Sequence, residues 1–140
     1  MRYLAIDLGG KRTGLAVGDD VTRIVTPLEV VSAGDDATRL RGIDRAIDQH
    51  GPDALLLGLP LNMNGTEGPA AQGVRRFGEA LARHTALPVA YHDERLTSDA
   101  ADAAMSRSGL TRGGKKARRD ALAAAVILQD YFEHTRTGRQ

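Results

Sequence analysis

Asp7 stands inside an otherwise apolar stretch, Tyr3-Leu4-Ala5-Ile6-Asp7-Leu8, and is followed at once by Gly9-Gly10-Lys11-Arg12-Thr13-Gly14. A carboxylate in a strand of buried character carries a solvation cost of roughly several kcal/mol unless a partner or a metal offsets it. Two further carboxylates lie beside basic residues, Glu94 at the end of a later apolar run and Asp120 inside the last helical stretch. Two such charges about 4 Å apart repel by roughly 4 kcal/mol at an effective dielectric near 20, and a divalent cation between them reverses that sign. Oxygen donors without thiolate favour hard Mg²⁺ or Mn²⁺ over zinc. Paired metals held by a few carboxylates suit in-line phosphodiester cleavage, one activating water while the other stabilises the leaving oxygen.

Taken singly, each acid has an ordinary structural account. Asp7 caps a turn through the amides of Gly9 and Gly10, Glu94 pairs with Arg95, and Asp120 pairs with Lys116 at helical spacing. Their joint appearance at a strand, a strand end and a sheet-facing helix position is what points to metal chemistry. Asp93 competes with Glu94, because a one-residue change in where the strand ends reverses which side chain faces the sheet surface. The segment Asp7-x-Gly9-x-x-x-x-Gly14 also reads as a glycine-rich hairpin whose amides approach a phosphate, as in small nucleotide-binding ATPases. Enclosing a nucleotide needs two such lobes, and 140 residues provide one.

The basic run Arg107, Arg112, Lys115, Lys116, Arg118 and Arg119 has no acid before Asp120. Alone it is a solvated face; placed ahead of Asp120 it sets phosphate-neutralising charge beside the metal site. Aromatic residues make up only 4% of the chain, too few for a base-stacking platform, so recognition rests on backbone and shape. The Gly-, Asn- and Pro-containing stretch from Gly58 to Gly68 is long for a connection in a compact domain, which suits a binding loop as well as a surface turn. His50, His84, His92 and His134 are scattered without metal-ligand spacing, and no serine-histidine-acid set stands out.

The elements that must position these groups follow from periodicity. Residues 2–8 alternate as a strand, with Leu4, Ile6 and Leu8 on one face and Tyr3, Ala5 and Asp7 on the other. Residues 13–17 and 23–31 read as two more strands in an antiparallel meander. Apolar residues at helical spacing mark a helix over 36–50, ended by Gly51-Pro52. The continuously apolar residues 54–58 fit a parallel strand covered on both faces. Pro69 opens a second helix, 88–92 form another strand, Thr97, Ser98 or Asp99 caps a short helix to about Met105, and roughly 116–133 form the last helix. Three strands, helix, strand, helix, strand and helices predict a mixed α/β sheet with helices on both faces.

Composition bounds the rest. With 41% hydrophobic and 26% charged residues, the chain reads as one globular domain over 1–135 with a flexible tail over 136–140. The absence of cysteine excludes disulfides and thiolate catalysis and fits a reducing cytoplasm. No apolar run approaches membrane-span length and no signal peptide is evident, so a soluble protein is expected. A net charge of +1 provides no global attraction to a polyanion, so the local placement of cations decides.

Four blocks together resemble one family, the YqgF or RuvX group of pre-16S ribosomal RNA nucleases, also described as Holliday junction resolvases. They are Ala5-Ile6-Asp7-Leu8-Gly9-Gly10-Lys11-Arg12-Thr13-Gly14-Leu15-Ala16, residues 58–68, Asp93-Glu94-Arg95-Leu96-Thr97-Ser98, and Lys115-Lys116 with Asp120-Ala121-Leu122-Ala123-Ala124 and Ile127-Leu128-Gln129. The resemblance covers nearly the whole chain. It implies a ribonuclease H-like fold in which Asp7, Glu94 and Asp120 are catalytic and bind Mg²⁺ or Mn²⁺. Lys11, Arg12, Arg95, Thr97, Lys115 and Lys116 are then substrate-binding residues. Ala117-Arg118-Arg119 departs from the glycine- or apolar-containing approach expected before that acid, which leaves the start of the helix open. The implied activity is a metal-dependent endonuclease on structured RNA, maturing the 5′ end of 16S precursor, with ribosomal particles as partners. The rivals are cleavage of branched DNA, which favours a homodimer over a monomer because two strands must be cut, and a non-catalytic RNA- or ribosome-binding module.

Overall fold

The structure, a computed structural model, describes residues 1–94 and 112–138, with side chains over 1–94 and 121–135. Its elements are β1 (Arg2–Leu8), β2 (Arg12–Asp19), β3 (Val25–Ser32), α1 (Asp36–His50), β4 (Ala54–Leu59), α2 (Pro69–Thr85), β5 (Val89–Asp93) and α3 (Arg112–Gly138). The five strands form one sheet in the order β3-β2-β1-β4-β5. The pairs β1–β2 and β2–β3 are antiparallel, whereas β1–β4 and β4–β5 are parallel. The meander of three and the central parallel strand expected from the sequence are therefore present.

Alternation along β1 divides the core in two. Leu4 and Ile6 join Leu15, Leu55 and Leu57 of the sheet with Ile43 of α1 and Val74, Phe77 and Leu81 of α2. On the other face Tyr3, Ala5, Ala16 and Leu56 meet Ala124, Ile127, Leu128 and Phe132 of α3. At roughly 25 cal/mol per Å² of apolar surface, each such leucine or isoleucine contributes about 2 kcal/mol. Alanines at 5, 16 and 124 let α3 lie close to the sheet.

Local chemistry fixes the helix ends. Asp35 caps α1 by accepting from the Thr38 amide at 2.7 Å, and Gly51, at φ 56°, donates its amide to the Ile47 carbonyl. Pro69 supplies the first residue of α2, where its missing N–H costs nothing. α3 departs from the sequence reading at both ends. It begins at Arg112 rather than near Lys116, so Lys115 and Lys116 stand within the helix, and it runs to Gly138 through residues read as tail. Lysine, arginine and alanine are good helix formers, and their sum outweighs the cost of about 1 kcal/mol for each of Gly113 and Gly114. Arg95, Thr97 and the short helix expected before Met105 lie outside the described residues.

Candidate active site

Parallel pairing brings the carboxyl ends of β1, β4 and β5 to one edge of the sheet. Ile6 pairs with Leu57, Gly58 with His92 and Leu59 with Asp93, so Asp7 and Gly58 stand in adjacent places. Asp7 is paired with Gly14 on its other side. A glycine thus flanks Asp7 on both neighbouring strands, on the face that α3 covers. The residues that could crowd the carboxylate have no side chains.

Glu94 follows β5, its amide donating to the Leu59 carbonyl at 3.3 Å. β1 and β5 lie two strand spacings apart, roughly 9.6 Å, which is too far for short side chains to meet directly. The Glu94 carboxylate bridges the gap by lying over Gly58. A Cβ at position 58 would collide with Glu94 Oε2 and lie 2.7 Å from Ile127 Cδ1. Glu94 and Asp7 share a side-chain hydrogen bond.

Two carboxyl groups can share such a bond only while one holds a proton. Burial, first, and then the charge of Asp7, the shared hydrogen bond and the charge of Asp93 push Glu94 up to about 7. At the end of β5, Glu94 is hydrogen-bonded to Asp7, and Asp93, paired in register with Leu59, acts on Glu94 through its charge. Half-buried oxygen donors competing for one proton, over a floor kept open by glycine, fit a hard dication in the proton's place.

Of the other residues singled out in the sequence, Asp120 lies in the backbone of α3, seven residues before Ile127, the residue that packs at Gly58. Its side chain, and those of Lys115 and Lys116, fall outside the described residues. Lys11 is exposed at the β1–β2 turn, and Arg12, half-buried, shares by alternation the face of Gly14 and Ala16. The 58–68 stretch is a self-bonded turn. Asn62 donates to the Thr66 carbonyl at 2.9 Å, Gly65 at φ 85° returns to Asn62, and Met63 at the tip is exposed.

One positioning residue is absent from the sequence reading. Arg39 of α1 is buried, donates from Nε to the buried Thr13 hydroxyl at 3.0 Å and from Nη2 to the Gly10 and Gly9 carbonyls at 2.9 and 3.3 Å, and pairs with Asp36. It holds the turn that follows Asp7 from the opposite face of the sheet. Its position in the sequence was informative, since it lies one helical turn before Ile43 on the buried stripe.

Residues 1–134 match the family described as RuvX: Holliday junction resolvase. A protein of Anaeromyxobacter sp. (strain Fw109-5) named "Putative pre-16S rRNA nuclease" is 42% identical over 133 residues, covering 95% of this chain and 97% of the relative. Among solved structures, Fowlpox virus resolvase in complex with Holliday junction DNA aligns with a TM-score of 0.61 at 13% identity, covering 96% of this chain and 99% of that one. Thermus thermophilus RuvC with a Holliday junction substrate gives 0.58 at 20% identity, covering 99% and 96%. At such identities the likeness establishes the fold, the ribonuclease H-like α/β sheet.

Proposed function

Because the chain belongs to the RuvX family, and from the site at its sheet edge, we propose that it is a divalent-metal-dependent endonuclease of the cytoplasm, acting on structured RNA in maturation of the 5′ end of the 16S ribosomal RNA precursor. The observation that carries this reading is the Asp7–Glu94 pair sharing a hydrogen bond over Gly58. Asp7, Glu94 and Asp120 would hold the metal. Bound there, Mg²⁺ or Mn²⁺ supplies Lewis-acid polarisation of the phosphodiester and activation of water.

The chain's own residues do the rest. Asp7 is fixed on a central strand and Glu94 at a strand end, so the donors are held by the sheet rather than by mobile loops. Arg12, on the face of Asp7, and Lys11, at the adjoining turn, are suited to the sugar-phosphate backbone, where cations position a substrate without reading its sequence. Lys115, Lys116, Arg95 and Thr97, the other basic and polar positions of the family motifs, would add to that role. Scarce aromatics favour recognition of shape, which structured RNA such as a pre-ribosomal particle presents.

Branched DNA is the second reading, favoured by the family's description and by the fold shared with junction resolvases. Purified protein with Mg²⁺ or Mn²⁺, offered precursor 16S ends and four-way DNA junctions in parallel, separates the two. Cleavage of the RNA is expected, and cleavage of the junction alone rejects the RNA assignment. Asp7→Asn is expected to lower cleavage by more than about 100-fold with binding largely kept. Undiminished cleavage by that variant removes the site, and intact cellular function without cleavage favours the non-catalytic module.

A further inference from the structure

On the α3 side of β5, one side chain before the carboxylate edge, lies a second group of potential ligands with different chemistry. His92 projects toward α3, its side chain only 12% exposed, and its Nε2 lies 2.6 Å from Asp130 Oδ2. Asp130 and His134 are one helical turn apart on α3, and His134 Nδ1 lies 3.6 Å from the same Asp130 oxygen. The three ligand atoms lie within 4.8 Å of one another. Among the described residues this is the one group of three or more histidine, cysteine or acidic side chains so arranged.

From this convergence we infer that His92, Asp130 and His134 form a site for a borderline transition-metal ion, of which Zn²⁺ is the type, with its fourth position open to water. The inference does not depend on the nuclease reading. Two imidazoles and one carboxylate are a common zinc donor set, and helical spacing of four residues is a standard way to aim two of them at one ion. In a tetrahedral site with bonds near 2.0–2.1 Å, ligand atoms stand about 3.4 Å apart. Asp130 Oδ2 already lies near that distance from His134, at 3.6 Å, whereas its 2.6 Å hydrogen bond to His92 must open as the ion enters and the two imidazoles adjust around it. His134 is 69% exposed, and its ring is free to make that adjustment by leaving the Asp130 carbonyl, to which Nδ1 is bonded at 2.8 Å.

The surroundings favour a fixed first ligand and a mobile last one. Tyr131 packs edge-on against His92 at 5.9 Å between ring centroids, and the two imidazoles lie 5.4 Å apart. His92 is therefore oriented before any metal arrives, while His134 closes over it. The two sites would divide metals by chemistry: Mg²⁺ and Mn²⁺ to the all-oxygen edge, Zn²⁺, Co²⁺ or Ni²⁺ to the nitrogen-containing group. An ion there would tie β5, which leads into Glu94, to α3, which carries Asp120.

The test uses the full chain stripped of metal and titrated with Zn²⁺ by calorimetry and with Co²⁺ by visible absorption. One ion per chain is expected, with the strong visible bands of tetrahedral Co²⁺ and selective shifts of the His92 and His134 imidazole resonances on Zn²⁺ addition. His134→Ala removes an exposed side chain and is expected to weaken Zn²⁺ binding by about 100-fold or more, judged against outer-shell losses of about 10–100-fold. Asp130→Asn is expected to weaken it as well. Asp7→Asn is expected to leave it unchanged. No saturable Zn²⁺ binding, or binding that survives His134→Ala and Asp130→Asn but is lost in Asp7→Asn, overturns the proposal.

Discussion

Glu94 gives the site a pH dependence whose sign follows from which state holds the proton longer. In the folded protein without metal its carboxyl is pushed up to about 7 from its ordinary 4.5, first by burial and then by Asp7. The folded state therefore binds a proton that the unfolded chain has released, and stability falls as pH rises from about 4.5 toward 7. The loss is on the order of 3 kcal/mol, over the roughly 2.5 pH units between those values at about 1.4 kcal/mol each. Urea unfolding of metal-free protein at pH 5 and pH 8 measures it, and Glu94→Gln is expected to flatten the difference. Because a dication held there would take the place of that proton, Mn²⁺ affinity is expected to rise with pH up to about 7 and then level, in a binding titration across pH 5.5–8. Gly58 is the other residue on which the pair depends. Gly58→Ala puts a methyl group where Glu94 Oε2 lies and close to Ile127 Cδ1, and is expected to cost about 1–3 kcal/mol of stability and to lower cleavage. Thermal unfolding and a rate assay on the same variant show whether both effects occur.

Among the elements, the β1–β2 hairpin depends on a residue from α1. Arg39 links the Gly9 and Gly10 carbonyls and the Thr13 hydroxyl, and it lies over the Phe77 ring at 5.8 Å. Arg39→Met leaves these acceptors without their donor and is expected to destabilise the fold by about 2–4 kcal/mol in chemical denaturation. Arg39→Lys should recover less than half of that, because a point charge cannot replace the guanidinium fork. Elements with local signals were legible in the sequence: α1 is bounded by an Asp35 cap and a left-handed Gly51, and Pro69 marks the start of α2. The start of α3 was not, since Gly113-Gly114 reads locally as a break while the surrounding residues favour helix. Arg39 gives no such local signal, because a charged side chain ordinarily marks a solvent-facing position and only its partners in the β1–β2 turn make burial tolerable.

For the whole molecule, the candidate acids stood out in the sequence, and what it did not show was how strands distant in sequence meet. Asp7 is conspicuous because it interrupts an apolar strand. Which of Asp93 and Glu94 lies toward Asp7 depends on where β5 ends against Leu59 of β4. A glycine inside a strand that is otherwise all leucine and alanine is the sequence signal for a close approach at 58. His92 lies 38 residues from Asp130, so no spacing rule joins them; only the packing of α3 against β5 does.

The anchoring of α3 has a mechanical consequence. Near its carboxyl end Phe132 and Tyr131 pack edge-on against Tyr3, and Arg23 grips the Phe132 carbonyl at 3.2 Å. Asp120 lies twelve residues upstream, about 18 Å along the axis at 1.5 Å per residue. A rigid rod pivoting by 5° about its clamped end swings a point at that radius through roughly 1.5 Å, beyond the roughly 1 Å misplacement that can cost a reaction about 100-fold. The placement of Asp120 is thus governed from the far end of the helix, by aromatic contacts with Tyr3.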